Sequence, residues 1–383
     1  MMDTPRRLRL GMVGGGEGAF IGAVHRFAAR LDDDYELVAA APSSNAERAR
    51  SSGEQLRLAS DRVYTDYRAM ARAESQRDDG IEVVAIVVPN HLHFDVARAF
   101  LEAGTHVICD KPLTTTLADG EKLFEIAAQQ RCLFALTHNY TGYPLVRAAR
   151  ELVASGALGE LRIVQVEYAQ DWLAQPLEAS GNKQAAWRTD PALAGPAGCL
   201  GDIGSHAAHL AEFVSGQTPT EISAELATFV PGRRVDDHVQ VQLRYARGAR
   251  GLLWASQVAS GEENGLRLRL YGSKAGLRWQ QEQPNELWWS PLGQPAQRLT
   301  RGMPGLPAAA ADATRIPTGH PEGFIEAFAQ LYRDFAADVR RHQRGEVVTT
   351  SRVPGLEAGL RSLAFIQAVL HSQRENGAWV TLG

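Results

Sequence analysis

Between Leu8 and Thr137 the chain alternates short apolar runs with longer stretches of helical periodicity. Strands are expected at Leu8–Val13, Tyr35–Ala41, Ile81–Val88, His106–Cys109 and Cys132–Thr137. Helices are expected at Ala19–Arg30, Ala46–Leu56, Phe94–Ala103 and Leu117–Gln130. Ile81–Val88 is an almost unbroken apolar run, rich in β-branched residues, as a strand buried on both faces of a parallel sheet requires. Parallel strands need long crossovers, and helices supply them, so strict alternation leaves few solutions. A doubly wound α/β Rossmann sheet is expected, occupying residues 1–140.

The texture changes after Asn139. Leu145–Ala154 reads as a helix closed by Ser155-Gly156, and Leu161–Gln170 then alternates apolar with polar residues. That pattern marks a half-buried antiparallel strand, and it recurs at Glu221–Val230, Asp237–Tyr245, Gly251–Val258 and Leu266–Tyr271. Residues 141–383 are expected to form a C-terminal α+β domain on a large, mostly antiparallel open sheet, for substrate binding and oligomerisation. Pro291–Thr318, rich in Ala, Pro and Gly, reads as a surface loop, and Glu322–His342 and Leu356–Gln373 as long helices. A length of 383 residues suits two domains.

Composition excludes several classes. A net charge of −4 offers no basic face for nucleic acid. Cys109, Cys132 and Cys199 are widely spaced, which fits a reducing compartment and argues against zinc or any other metal. Cys109 and Cys132 are expected to be buried thiols. Met1–Arg9 lead into the first strand without a signal-like apolar region, and no stretch approaches the length of a membrane span. A cytoplasmic protein with no membrane partner is expected.

Gly14-Gly15-Gly16-Glu17-Gly18-Ala19 lies at the first strand–helix junction. Aligned as G-x-G-x-x-A, it puts Gly14 at the tight turn, Gly16 where backbone approaches a pyrophosphate, and Ala19 at the close strand–helix contact. The helix beginning with Phe20 and Ile21 offers its free N–H groups to phosphate. At the end of the second strand stand Ser43, Ser44 and Asn45, with Arg48 beyond and no carboxylate. Hydroxyls and an arginine can receive a 2′-phosphate, so NADP is favoured over NAD.

Lys111 falls just after a strand, at the carboxyl edge where α/β proteins bind ligands, and can donate to a substrate hydroxyl. Asp202 and His206 are four apart and would share one helix face, so the carboxylate can orient the imidazole that takes a proton. Pro89, Asn90 and His93 occupy another carboxyl-edge loop, where Asn90 and His93 can either flank a nicotinamide ribose or cap the next helix. Each fragment alone also has a bland reading: a surface lysine, a capping aspartate with an incidental histidine. Tyr140, Tyr143, Trp172, Trp187, Arg188, Asp190, Asp237 and His320 are candidates for a wall against a hydroxylated ring, and each aromatic could equally be core.

The chain resembles the glucose–fructose oxidoreductase/inositol dehydrogenase/MocA (Gfo/Idh/MocA) family along essentially its whole length. The resemblance rests on GMVGGGEGAFIGAVH, VPNHLH, CDKPL at the family's E-K-P position, WRTDPALAGPAGCLGDIGSHAAHL and GHPEGFIEAFAQLYRDF. It implies hydride transfer between a nicotinamide cofactor and a secondary alcohol of a sugar, sugar derivative or cyclitol. By position, Lys111 matches the catalytic lysine, Asp202 the active-site aspartate and His206 the proton-transfer histidine. Asp110 joins the cofactor residues, and Trp187 and Arg188 match a segment that meets cofactor or substrate. The sequence departs from the family at Asp110, a shorter residue than the usual glutamate. It departs again at His209, where an aspartate is common and where substrate choice would be shaped. The resemblance also implies a homodimer or homotetramer through the open sheet. Alternatives are a lyase or hydrolase that oxidises a glycoside transiently with held NAD, and a non-catalytic nucleotide-binding regulator.

Overall fold

The computed structural model describes residues 6–382. Met1–Pro5, on which part of the expectation for the N-terminus rests, and Gly383 lie outside the described residues. The chain forms two compact units. One comprises residues up to Asn139 together with Phe328–Leu360, and the other Tyr140–Ala327 with Arg361 onward. The sequence expectation placed one boundary at 140 and left 141–383 unbroken. The structure puts the first crossing there but returns 328–360 to the first unit.

In the first unit the order is β1 (Leu8–Gly14), α1 (Phe20–Leu31), β2 (Tyr35–Ala41), α2 (Ala46–Gln55), α3 (Tyr67–Ser75), β3 (Val83–Val87), α4 (His93–Glu102), β4 (His106–Cys109), α5 (Leu117–Gln130) and β5 (Phe134–Leu136). The five strands are parallel, in the order β2-β1-β3-β4-β5. All of β3 is buried, as its apolar run requires. The strand order reverses between β1 and β3, and the crevice outside the carboxyl ends at such a reversal is where ligands bind. Three loops reach that edge: Gly15–Ala19 after β1, Val88–Asn90 after β3, and Asp110–Lys111 after β4. The returning segment is tied in by Arg340 on Asp34 at 2.6 Å, Gln343 on Glu82 at 2.8 Å, and the Leu136 N–H on the Pro354 carbonyl at 2.7 Å.

The second unit begins with α6 (Pro144–Ala154) and β6 (Leu161–Ala169). Two short helices follow, α7 (Lys183–Arg188) and α8 (Pro191–Ala194), and then α9 (Ser205–Ser215). Strands β7 (Pro219–Ala227), β8 (His238–Tyr245), β9 (Arg250–Ser256), β10 (Gly265–Gly272), β11 (Ala275–Gln280), β12 (Glu286–Pro291) and β13 (Gln297–Thr300) come next. They are followed by α10 (Ala308–Ala313); the chain then passes through α11 (Phe324–Gln343), which belongs to the first unit from Phe328 on, and α12 (Leu356–Arg374), which belongs to the second from Arg361 on, to β14 (Val380–Thr381). The nine-stranded sheet runs β13-β12-β11-β10-β6-β9-β8-β7-β14, antiparallel except for the β6–β9 pair. Alternation is visible in β10, where Leu266, Leu268 and Leu270 are buried with Val164 and Val166 of β6 under Leu145, Val146, Leu210 and Val214. Ile163, Leu252 and Tyr271 point to the opposite, exposed face.

Two expectations fail here. Pro291–Thr318 is not simply a loop: it holds β13 and α10, whose Ala310 and Ala313 are fully buried. Alanine needs little room to pack against a neighbour, so a small-residue run can serve as core. Cys132 is only half-buried, its Sγ on the Leu101 carbonyl. No helix of the described residues is long and apolar enough to cross a membrane, and among them no group of three or more His, Cys, Asp or Glu side chains could hold a metal.

Candidate active site

The glycine-rich turn is shaped by what surrounds it. Gly14 has φ +79°, and a Cβ there would meet the Val87 carbonyl oxygen at 2.2 Å. Gly16 is hemmed in as well, a Cβ there falling 2.8 Å from the Pro42 carbonyl. The close strand–helix contact is made by Gly22, whose added Cβ would lie 2.4 Å from the Gly15 Cα. Ala19 was expected to make it but stands too early: it is the N-cap of α1, closing on the Gly16 carbonyl at 3.1 Å, with no side chain capping the helix. The first N–H groups of α1 are therefore open to an anion. Beside them lies a cavity of about 330 Å³ lined by Gly15–Phe20, Ala23, Arg26, Ser52, Gln55 and Leu56. Phe20 is 72% exposed at its rim. A bare backbone cradle at an uncapped helix start, beside a cavity of this kind, fits a dinucleotide pyrophosphate.

At the end of β2, the Ser43 hydroxyl accepts from the Asn45 N–H, and the Asn45 side chain caps α2 through the Arg48 N–H. Ser44 and the Arg48 side chain are exposed. Beyond β3, Pro89 and Asn90 are half-buried at the sheet edge. His93 is not presented to a ligand: it is fully buried, Nδ1 at 2.7 Å from the Pro112 carbonyl and Nε2 at 2.9 Å from that of Val88. Burial pushes its pKa down, against those two carbonyls. Its place at the start of α4 turns the ring into the unit, where it links two loops. Lys111 is half-buried at the end of β4. The Asp110 carboxylate, expected among the cofactor residues, turns inward to His25 and Thr137.

In the second unit, Asp202 and His206 lie on one continuous helical segment, but not with α-helical spacing. Leu200–Gly204 is a π-turn, closed by the Ser205 N–H on the Leu200 carbonyl, and only from Ser205 does α9 continue normally. Such single wide turns re-aim a side chain and occur often at functional sites. Asp236 anchors the start of this segment: it is buried and accepts from the Gly198 and Leu200 N–H groups, both at 2.7 Å. Burial nevertheless pushes its pKa up to about 6.

Asp202 Oδ2 accepts from Gln257 Nε2 at 2.9 Å and pairs with Arg188 Nε at 3.4 Å. The Arg188 guanidinium stands over the rings of Trp187 and Trp172, 4.2 and 5.9 Å from their centroids. His206 is 9% exposed, with the Tyr140 ring edge-on at 4.9 Å and Tyr168 beyond. The Tyr140 and Tyr168 hydroxyls bond each other at 2.5 Å, and Tyr168 donates to Asn264 Oδ1. Gln170 shares that acceptor and receives the Trp172 indole N–H. Burial pushes the Tyr140 hydroxyl up to about 12, so it stays a neutral donor. These residues bring a carboxylate, an imidazole, an arginine and amide groups to one aromatic-walled region.

Other expected wall residues are engaged elsewhere. Asp237 is fully buried, holding the Phe229 and Val230 N–H groups and Arg233. Asp190 caps α8 and pairs with Arg234. Tyr143 is buried, stacked on Tyr140. His209 stacks on Phe213, and burial pushes its pKa down to about 3, helped by Arg361 and Arg150. One turn along from His206, it faces a different set of neighbours, in the core. His320 sits in an exposed loop whose carbonyl accepts from Arg301. Sequence reasoning missed Gln257, Tyr168, Asn264 and Gln170. Tyr168 falls within the alternating stretch Leu161–Gln170, but nothing local marks an amide as a partner for a distant carboxylate.

Comparison with known proteins accords with this architecture. Residues 8–138 match the model of an oxidoreductase family with an NAD-binding Rossmann fold, and residues 146–278 match the GFO/IDH/MocA C-terminal domain. An uncharacterized oxidoreductase of Bacillus subtilis, YfiI, is 33% identical over 97% of this chain and 96% of its own. Levoglucosan dehydrogenase of Pseudarthrobacter phenanthrenivorans is 28% identical over 74% of this chain and 76% of its own. A crystal structure of an inositol dehydrogenase homolog from Azotobacter vinelandii, complexed with NADH and myo-inositol, superposes with a TM-score of 0.92. It is 37% identical, with 98% of each chain covered. The chain belongs to the GFO/IDH/MocA family of oxidoreductases, with an NAD-binding Rossmann fold.

Proposed function

We propose that this protein is a dehydrogenase that reversibly oxidises a secondary alcohol of a sugar, sugar derivative or cyclitol to the ketone. The observation that carries the reading is Asp202, held by Gln257 and Arg188 on the wide turn that leads into His206. The cradle at Gly14–Ile21, with Pro89 and Asn90 on the neighbouring loop, would hold the dinucleotide. Bound there, the nicotinamide supplies the acceptor for the carbinol hydrogen, taken with its electron pair. His206 removes the hydroxyl proton, Lys111 holds the alcohol oxygen through its ammonium, and Asp202 keeps the imidazole oriented. Trp172 offers a face to the ring and Arg188 its guanidinium, while Tyr140, a buried residue, supports the His206 ring from the side. The names of two relatives, a levoglucosan dehydrogenase and an inositol dehydrogenase homolog, point to the same substrate class.

The test is a panel of inositols and sugars with NAD and NADP separately, followed by product identification. Steady growth of reduced-nicotinamide absorbance supports a dehydrogenase. Turnover without net reduction of free cofactor points to a lyase or hydrolase, and cofactor binding without turnover to a regulator.

The cofactor reading is more specific. Ser43 and Ser44 stand at the end of β2 where an NAD-preferring site commonly has its acidic residue, with Arg48 beyond, so NADP is expected to be used, and preferred over NAD. Arg48→Ala is expected to weaken NADP binding about 10–100-fold, because hydrogen bonds to charged groups are worth about 1.5–3 kcal/mol. NAD binding should be unchanged. Equal loss for both cofactors, measured by fluorescence titration, would refute a role at the 2′-phosphate. The exposed apolar side chains Ile163, Leu252 and Tyr271 on the outer sheet face support self-association as a homodimer or homotetramer. Light scattering is expected to give two or four chains for the wild type and one for Leu252→Glu.

A further inference from the structure

We propose that His25, held by Tyr332, is a positioning residue for Lys111: it grips the Asp110 carboxylate and so fixes the backbone from which the lysine projects. This rests on the role assigned to Lys111 above.

Three separate pieces of the first unit meet at Asp110. His25 comes from the second turn of α1, Thr137 from the residue after β5, and Tyr332 from the returning helix α11. Asp110 Oδ1 accepts from His25 Nε2 at 2.9 Å and from Thr137 Oγ1 at 2.7 Å, and His25 Nδ1 lies 2.7 Å from the Tyr332 hydroxyl. His25 is 0% exposed. Phe328 and Tyr332 pack edge-on against its ring at 5.0 and 5.8 Å. The Tyr332 ring is held in turn by Tyr35, whose hydroxyl donates to the Tyr332 carbonyl at 2.9 Å.

The hydrogen-bond logic is closed. An ionised carboxylate only accepts, so Nε2 carries the hydrogen toward Asp110. In the neutral ring Nδ1 is then an acceptor, and the Tyr332 hydroxyl donates to it. Burial would push the Asp110 carboxyl up, yet the net shift is downward, through its contact with His25 and the hydrogen bond of Thr137. Tyr332 itself is pushed well above the ordinary phenol by burial, so it remains a donor.

Burying a carboxylate and an imidazole is costly unless both are paired, and apolar groups of the same shape would pack here at lower cost. What the polar set adds is direction. The Asp110 N–H is already on the Ile86 carbonyl at 3.1 Å, and the side-chain bonds fix the second end of the same residue. The next residue is Lys111. The helix that supplies His25 is also the one that opens at the dinucleotide cradle, so the lysine is held in register with that cradle.

The test is a double-mutant cycle on the full chain, using the best alcohol of the panel. His25→Leu is expected to lower kcat/KM about 100-fold, the scale of a misplacement of about 1 Å, with the dinucleotide Kd unchanged. His25→Gln, which keeps an N–H donor near the Nε2 position, should recover most of the loss. In a Lys111→Met background, His25→Leu should cost almost nothing further, because both changes remove one function. Losses that add would show His25 acting independently of the lysine and overturn the proposal. Wild-type activity in Lys111→Met would instead remove the underlying role of Lys111, whereas loss in Lys111→Met with none in His25→Leu would sink the positioning claim alone. If His25→Leu does not fold, Tyr332→Phe carries the test, since it deletes one oxygen and keeps the packing. It is expected to alter the ¹⁵N signals that report the His25 tautomer and to lower kcat/KM without lowering Tm comparably. Unaltered ¹⁵N signals together with wild-type kcat/KM would overturn it.

Discussion

Replacing His206 by alanine is expected to lower kcat about 10²–10⁴-fold, the contribution of a positioned general base, while KM for the alcohol changes far less. The ring lies on α9, just past the wide turn, 9% exposed and edge-on to Tyr140. Its removal leaves a space beside aromatic groups that remain bonded to one another through Tyr168 and Asn264. The fold should therefore survive, and circular dichroism melts should separate lost chemistry from lost protein. If His206 is the base, raising the pH should restore part of the rate in the variant, as hydroxide takes over the proton. Near-wild-type turnover in His206→Ala on a validated substrate would end the assignment. Gln257→Ala gives a graded version, because it strips one hydrogen bond from Asp202 without touching the imidazole. A smaller loss in kcat is expected there.

Much of this architecture was readable beforehand, for physical reasons that also say where reading stops. Ile81–Val88 announced a central parallel strand because burial on both faces leaves no polar position, and Val83–Val87 is wholly buried. The alternation in Leu266–Tyr271 was legible because one sheet face meets water. Strands β11 and β12 escaped notice: Trp279, Trp288 and Trp289 sit among Gln, Arg and Pro residues that dilute the pattern, and their pairing is set by the partner strand. The π-turn at Leu200–Gly204 was invisible because periodicity assumes 3.6 residues per turn. His93 and Asp237 looked like ligand groups since a polar residue beside a motif has no mark of inward or outward aim. Only the carbonyls of Pro112 and Val88, and the guanidinium of Arg233, show them to be internal. Tyr332 and His25 lie 307 residues apart, and no local rule brings them together.

Gly14→Val is expected to be the most damaging single change in the first unit, and a glycine series can show why. Two penalties coincide at this position. The φ of +79° belongs to the left-handed region that branched residues avoid, and a Cβ would lie 2.2 Å from a backbone oxygen that cannot turn away. Strain and overpacking together amount to roughly 2–6 kcal/mol, enough to threaten a unit of ordinary stability. Gly18 separates the two terms. Its φ is +78°, yet nothing lies within 4 Å of an added Cβ, so Gly18→Ala should cost only about 1–2 kcal/mol. Gly16→Ala probes the third case, with no left-handed backbone but a Cβ 2.8 Å from the Pro42 carbonyl. It is expected to lower Tm, though less than Gly14→Val, and to weaken dinucleotide binding by an order of magnitude or more, because relieving that contact displaces the backbone that forms the cradle. Thermal melts with dinucleotide titrations on the three variants should rank Gly14→Val lowest in Tm and Gly16→Ala as the one whose binding falls furthest relative to its stability. If Gly16→Ala bound the dinucleotide as tightly as the wild type, the backbone at that position would not approach the pyrophosphate.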